Sequence, residues 1–197
     1  LTSIALIAGA LALARRKALA KELASVELLA RVDTICLDKT GTLTEGRLVL
    51  GDVQPLGEAV DDRGAREVLA TMVHADPNPN PTLEAVGEGL AAEGLDLADG
   101  RAVVAAVPFS SARKWSAADL GDIGTWYLGA PDILLEAADA AAADSARTEV
   151  ERHSSAGRRV LLLAGSPGGL EEDRLPTTLE PSALAVLDES IRPEAPD

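Results

Sequence analysis

The chain has 197 residues, with 18 Lys+Arg against 32 Asp+Glu, a formal net charge of -14 and 47% hydrophobic residues. That charge argues against a nucleic-acid partner, because phosphate backbones are gripped by clustered cations, and the apolar content suits a packed core rather than a disordered chain. Cys36 is the single cysteine, and the two histidines, His74 and His153, lie far apart, which leaves no internal disulfide and no zinc-ligand spacing.

Leucine stands first and the chain opens in mid-pattern, so a piece of a longer protein is expected. Residues 1–14 are almost wholly apolar and are followed by Arg15, Arg16 and Lys17. Spanning a bilayer takes about 20 apolar residues, and a signal peptide carries its charges before the apolar run. The expectation is therefore the cytoplasmic end of a transmembrane helix, with an ordinary buried helix as the alternative. Residues 15–31 keep a helical spacing of Leu and Val among Lys and Glu, the pattern of a stalk helix. Residues 32–37 form a short apolar, β-branched run, expected as a buried strand that delivers Asp38 to a loop, with Cys36 in the core.

After Gly51 the texture changes. Helices are expected over 64–74 and 82–92, on either side of a Pro/Asn-rich loop at 76–81 whose alternating prolines forbid regular helix. Strands follow at 102–107, 114–119 and 125–128, with Gly121 and Gly124 marking the turn between the last two. Pro131 takes the favoured first position of a helix. The Ala-rich stretch 137–155 reads as a helix stopped before Gly157, and its acidic residues around 139–144 as a solvated face. Segments 160–164 and 183–187 read as strands, with a loop over 166–181. No internal repeat is present.

The chemistry is concentrated in Asp38-Lys39-Thr40-Gly41-Thr42-Leu43-Thr44. A carboxylate at a strand end, then a lysine, hydroxyls and a glycine that lets the backbone close on a ligand, supplies what phosphoryl transfer needs. Asp38 can attack phosphorus, Lys39 adds positive charge, and backbone amides with the Thr42 hydroxyl can hold phosphoryl oxygens. Mg²⁺ on Asp38 and at Thr40 can offset the accumulating negative charge. An isolated Asp in such a loop would more simply cap the next turn; seven consecutive residues favour chemistry. Two positions after the nucleophile, haloacid-dehalogenase-like phosphatases usually carry a second Asp as general acid/base. Here that residue is Thr40, a poor proton shuttle at neutral pH, so an aspartyl-phosphate at Asp38 should persist.

Together with Cys36 and Leu37, this stretch resembles the phosphorylation motif of P-type ATPases, and other strings fall in that family's order. Pro108-Phe109-Ser110-Ser111-Ala112-Arg113-Lys114 resembles the nucleotide-domain motif in which a Phe stacks on adenine and a Lys lies close to the nucleotide. Gly129-Ala130-Pro131-Asp132 resembles the Lys-Gly-Ala-Pro-Glu motif of the same pocket, with Leu128 in place of the lysine. The segment 157–161 resembles the strand whose Arg, here Arg159, contacts the ATP phosphates. Asn80-Pro81-Thr82-Leu83-Glu84 carries its acid, Glu84, one position later than the family's Pro-Thr-Glu pattern. Residues 188–192 resemble the Asp/Arg hinge, one residue longer than the common form.

The resemblance implies an α/β fold, in which an α+β nucleotide-binding domain with a mainly antiparallel sheet flanked by helices is inserted in a Rossmann-like, haloacid-dehalogenase-type phosphorylation domain. Its implied boundaries are 1–14 for the end of the fourth transmembrane helix, 15–31 for the stalk, 32–52 for the first part of the phosphorylation domain, 53–187 for the nucleotide-binding domain and 188–197 for the return hinge. It further implies ATP as substrate, Mg²⁺ as cofactor and cation transport by a multi-pass cell-membrane parent whose ion sites lie outside this chain, with this region cytoplasmic. No Ser-Glu-His-Pro string of the heavy-metal pumps occurs, which points to the calcium/magnesium-like bacterial branch. A soluble aspartate-nucleophile phosphatase and a nucleotide-binding module without turnover are the alternatives.

Plainer roles compete at several positions. Phe109, the only phenylalanine, could be ordinary core. Trp115, Trp126 and Tyr127 suit packing on a half-buried sheet. His74 and His153 sit near expected helix C-termini, where they complement the dipole.

Overall fold

Most of the expected strands pair, all antiparallel, into one six-stranded sheet in the order β1-β6-β5-β4-β3-β2. The computed structural model describes residues 2–57, 59–95, 102–170, 174–192 and 195, without the side chains of Thr2, Lys39 and Thr40. The chain divides into two units, residues 1–42 and 43–197.

In the first unit, α1 (Thr2–Arg15) and α2 (Leu23–Leu29) are separate helices. The continuous stalk expected over 15–31 is interrupted because Lys17 turns into the left-handed region at φ 63°, which ends a helix. Gly9 lets the two helices approach, since a Cβ there would lie 2.6 Å from Val26 Cγ1. Among the described residues no helix is long and apolar enough to cross a membrane. The buried strand expected over 32–37 does not form. Those residues have no regular structure, Ile35 is 74% exposed, and Cys36 is exposed rather than in the core. A strand needs a neighbour to take up its N–H and C=O groups, and among the described residues none pairs with this run.

The second unit contains β1 (Thr44–Pro55), α3 (Asp62–Ala75), α4 (Pro81–Ala92), β2 (Ala105–Ser110), β3 (Trp115–Asp119), β4 (Thr125–Gly129), α5 (Pro131–Leu134), α6 (Ala140–Ser155), β5 (Arg159–Ser166) and β6 (Glu180–Ile191). One sheet face packs on α3 and α4, through Leu69, Leu83, Val86 and Leu90 against Leu128, Leu163, Ala185 and Leu187. The other packs on α5 and α6, where Leu134, Ala143 and Ala146 meet Tyr127, Leu162, Leu184 and Val186. Strands buried on both faces read as continuous apolar runs, which is why β5 is plain in the sequence. The antiparallel, helix-flanked α/β architecture expected above is the one observed.

Local signals set the helix ends. Asp61 accepts from Gly64 N at 2.7 Å at the start of α3; Asn80 accepts from Thr82 N and Leu83 N at 3.0 and 3.1 Å at the start of α4; Asp139 accepts from Ala141 N at 3.1 Å at the start of α6. Each such cap contributes about 1 kcal/mol. Gly157, at φ 77°, takes the chain out of α6 and into β5.

Two strands depart from expectation. β1 was not foreseen, because Gly46, Gly51 and the charged Glu45, Arg47 and Asp52 break its alternation and it lies at a sheet edge with two register shifts. Its pairing from Thr44↔Ile191 to Pro55↔Ala183 also lengthens β6 beyond the expected 183–187. Arg192 closes the ribbon, donating from its N to Leu43 O at 2.9 Å and from Nε to Thr44 O at 3.2 Å. The incoming and outgoing strands of the second unit therefore lie side by side, and the expected domain divisions at 52/53 and 187/188 fall inside them. β2 begins three residues later than expected and keeps Pro108 because it is the other edge strand.

Polar side chains tie α6 to β1. Gln54 Nε2 donates to Glu149 Oε2 at 2.8 Å, Arg152 Nη2 donates to Gln54 Oε1 at 2.8 Å, and His153 Nε2 lies 2.8 Å from Gln54 Oε1. His153 is 3% exposed. Burial, then the Arg152 and Arg158 charges, hold its pKa below the usual value.

Candidate nucleotide-binding site

One end of the sheet collects most of the residues singled out in the nucleotide strings. Register pairs Ser110 with Trp115, Trp115 with Gly129 and Gly129 with Leu162, so the β2–β3 turn, the end of β4 and the start of β5 lie at the same edge. Phe109 is 38% exposed there, although it is the only phenylalanine of the chain. Lys114 closes the turn with φ 61°, its N donating to Ser110 O at 2.6 Å and its O accepting from Ala130 N at 3.0 Å. A Cβ on Gly129 would meet Lys114 O at 2.5 Å and Trp115 Cβ at 2.6 Å; only glycine permits this approach. Lys114 Nζ lies 4.0 Å from Asp132 Oδ2 on the first turn of α5, with both side chains more than half exposed, so the pair adds little to stability.

Arg159 opens β5 at the same end and donates from Nη1 to Thr82 Oγ1 at 3.2 Å. Thr82 belongs to the first turn of α4, which also carries the exposed Glu84. Phe109, Lys114 and Gly129 thus gather around one turn, and Arg159 meets the helix start that bears Glu84. Leu128, in the place where the resemblance expects a lysine, is 3% exposed and packs in the α3/α4 core. Asp132, Thr82 and Arg113 were not singled out from the sequence; each lies within or beside a quoted string, and only contacts reveal what it touches.

The phosphorylation-like string lies at the boundary of the two units. Asp38 is exposed; residues 39–43 make one π-helical turn in which Gly41 takes φ 78°, and Thr42 is exposed. The side chains of Lys39 and Thr40 lie outside the described residues. Thr44 then begins β1. No group of three or more His, Cys, Asp or Glu among the described residues could hold a metal ion. The Asp38 carboxylate is a hard oxygen donor of the kind Mg²⁺ takes, and Mg²⁺ usually completes its shell with water and substrate phosphate. Among the described residues of the string, Asp38 offers one carboxylate toward such a site.

No protein-family model matches the chain. It is 40% identical over 195 residues to the calcium-transporting ATPase CtpE of Mycobacterium bovis, covering 99% of this chain and 23% of that protein. It is likewise 40% identical over 197 residues to CtpE of Mycolicibacterium smegmatis, covering 100% and 23%. The chain belongs to the P-type ATPase family. A probable cation-transporting ATPase, exp7 of Streptococcus pneumoniae, is 36% identical over 188 residues, covering 95% of this chain and 22% of that protein. Among solved structures, a zinc-transporting PIB-type ATPase in an E2.Pi state has a TM-score of 0.64 at 22% identity, covering 98% of this chain and 28% of that one, a likeness of fold. The chain thus spans about a quarter of the length of these relatives.

Proposed function

We propose that this chain is the ATP-binding and phosphorylated part of a pump that moves a cation across the cell membrane, with the described region on the cytoplasmic side. The observation that carries the reading is the string Asp38 to Thr44 in a chain similar along nearly its whole length to proteins named calcium-transporting ATPases. Calcium is the cation we infer, from those names and from the absence of a Ser-Glu-His-Pro string.

ATP lies with its adenine against Phe109 and Lys114, over the close approach that Gly129 permits, and with its phosphates toward Arg159; Glu84 flanks the pocket from α4. Asp38 is the nucleophile. One carboxylate oxygen bonds to the γ-phosphorus as the bond to the ADP oxygen breaks, while Lys39 and the Thr42 hydroxyl hold phosphoryl oxygens. Asp38 and Thr40 would hold Mg²⁺, which would supply charge stabilisation of the transferring phosphoryl group. Thr40 gives the aspartyl-phosphate no adjacent proton shuttle, so the covalent state lasts long enough to be coupled to a change of shape. The two-strand ribbon of β1 and β6, with residues 188–192 at its end, then links the nucleotide-binding domain to a phosphorylation domain begun by residues 32–37.

The full-length protein incubated with labelled ATP and Mg²⁺ should yield an acid-stable, hydroxylamine-sensitive phosphoenzyme, and Asp38→Asn should yield none. Label persisting in the variant would move the nucleophile elsewhere. Sustained Asp38-dependent hydrolysis of p-nitrophenyl phosphate by the 197-residue chain alone would instead point to an autonomous phosphatase.

A further inference from the structure

Phe109 owes its outward position to an irregularity in an edge strand. Val107 pairs with Ala117 and Ser110 with Trp115, so Pro108 and Phe109 together face the single residue Ser116. Such a bulge re-aims a side chain and takes a carbonyl out of the ladder. The freed Pro108 carbonyl accepts from Arg113 Nη2 at 2.9 Å. The Arg113 guanidinium carbon lies 5.1 Å from the centroid of the Trp115 ring. That ring is buried and set at 59° to Tyr127, with centroids 5.5 Å apart. Between the two anchors the chain turns tightly enough to drive Lys114 to φ 61°, a conformation that non-glycine residues hold only when their surroundings enforce it.

We propose that Arg113 is a positioning residue for the nucleotide site: seated on the buried Trp115 ring and fastened to the carbonyl before Phe109, it fixes the bulge and turn that present Phe109 and Lys114. The nucleotide part of this inference rests on the function proposed above. Arg113 itself acts through the backbone. Two anchors explain the choice of residue, since a guanidinium can stack on a ring by its face while donating from its edge, and a lysine offers a single point charge.

The single phenylalanine gives a direct readout, because ring-labelled Phe produces one aromatic signal set from the 197-residue chain. Arg113→Gln should shift that signal and speed exchange of the Lys114 amide, which donates to Ser110 O, with the melting transition still cooperative. ATP affinity should fall roughly threefold to tenfold in the otherwise unchanged chain, and less than about twofold when Phe109→Ala is already present, the non-additivity expected of residues acting as one unit. Equal losses in the two backgrounds, or an unmoved Phe109 signal with unchanged Lys114 exchange, would overturn the inference. Should the Gln variant not fold, Arg113→Lys replaces it, with faster Lys114 exchange than the parent chain expected and an unchanged rate overturning. A Phe109 signal that moves in a chain with no affinity for ATP would keep the positioning role and sink the nucleotide reading alone.

Discussion

The backbone of Lys114 rests against Gly129 so closely that a single methyl group would separate them: Lys114 O accepts from Ala130 N at 3.0 Å and would lie 2.5 Å from a Cβ on Gly129. The neighbour in the way is backbone of a turn already held in a strained conformation, so it yields little. Gly129→Ala should therefore destabilise the fold by about 1–3 kcal/mol, the usual range for overpacking, read as a lower urea midpoint with an unchanged slope. Unaltered stability would show that the turn moves aside freely.

Phe109 contributes little to the core at 38% exposure, so Phe109→Ala should leave the melting temperature within a few degrees of the parent. Stacking on a ring contributes about 0.5–1.5 kcal/mol beyond area burial, so the same change should weaken ATP binding roughly threefold to tenfold by titration calorimetry. Undiminished affinity would place the base elsewhere.

Gly89 on α4 is the position where helix propensity and packing oppose each other. Alanine gains about 1 kcal/mol of propensity over glycine, yet a Cβ there would collide with Leu50 Cβ of β1 and lie 2.9 Å from its Cδ2. Packing should win, with Gly89→Ala less stable than the parent in denaturant unfolding. If it does, removing the obstacle as well, in Gly89→Ala/Leu50→Gly, should cost less than the sum of the two single changes.

His153 makes stability depend on pH. Burial and the Arg152 and Arg158 charges lower its folded pKa, while Glu149 and Asp52 oppose that shift. The unfolded chain, with an ordinary His pKa of about 6.5, thus binds the proton more readily than the folded one. Stability is full above about pH 6.5 and falls as pH drops toward and through the folded pKa. His153→Gln should flatten the stability profile between about pH 7.5 and 5.5 in urea titrations. Glu149, lowered by its bonds to Gln54 and Arg152 from an ordinary value of 4.5, loses its contribution only further down, outside that range.

The sequence by itself determined the pieces whose information is local. Helical patterning marked α3, α4 and α6, strand-like patterning marked β4 and β5, and the strings around Asp38, Phe109 and Gly129 were readable because their chemistry sits in consecutive residues; the caps Asp61, Asn80 and Asp139 emerged only with the structure. Tertiary structure alone decided the rest. β1 and the full extent of β6 exist through pairs such as Thr44↔Ile191, almost 150 positions apart, where no local pattern can report the partner. The 32–37 run looked like a strand from composition and is exposed instead, because strand formation depends on a neighbour that composition does not encode. Lys114 meets Gly129, with Phe109 on the adjoining end of β2, because β3 aligns the end of β2 with the end of β4. Arg159 reaches Thr82 because α4 packs on the sheet face beside β5: side chains from distant segments converge only once strand register and helix packing have been set, and both are properties of pairs of elements.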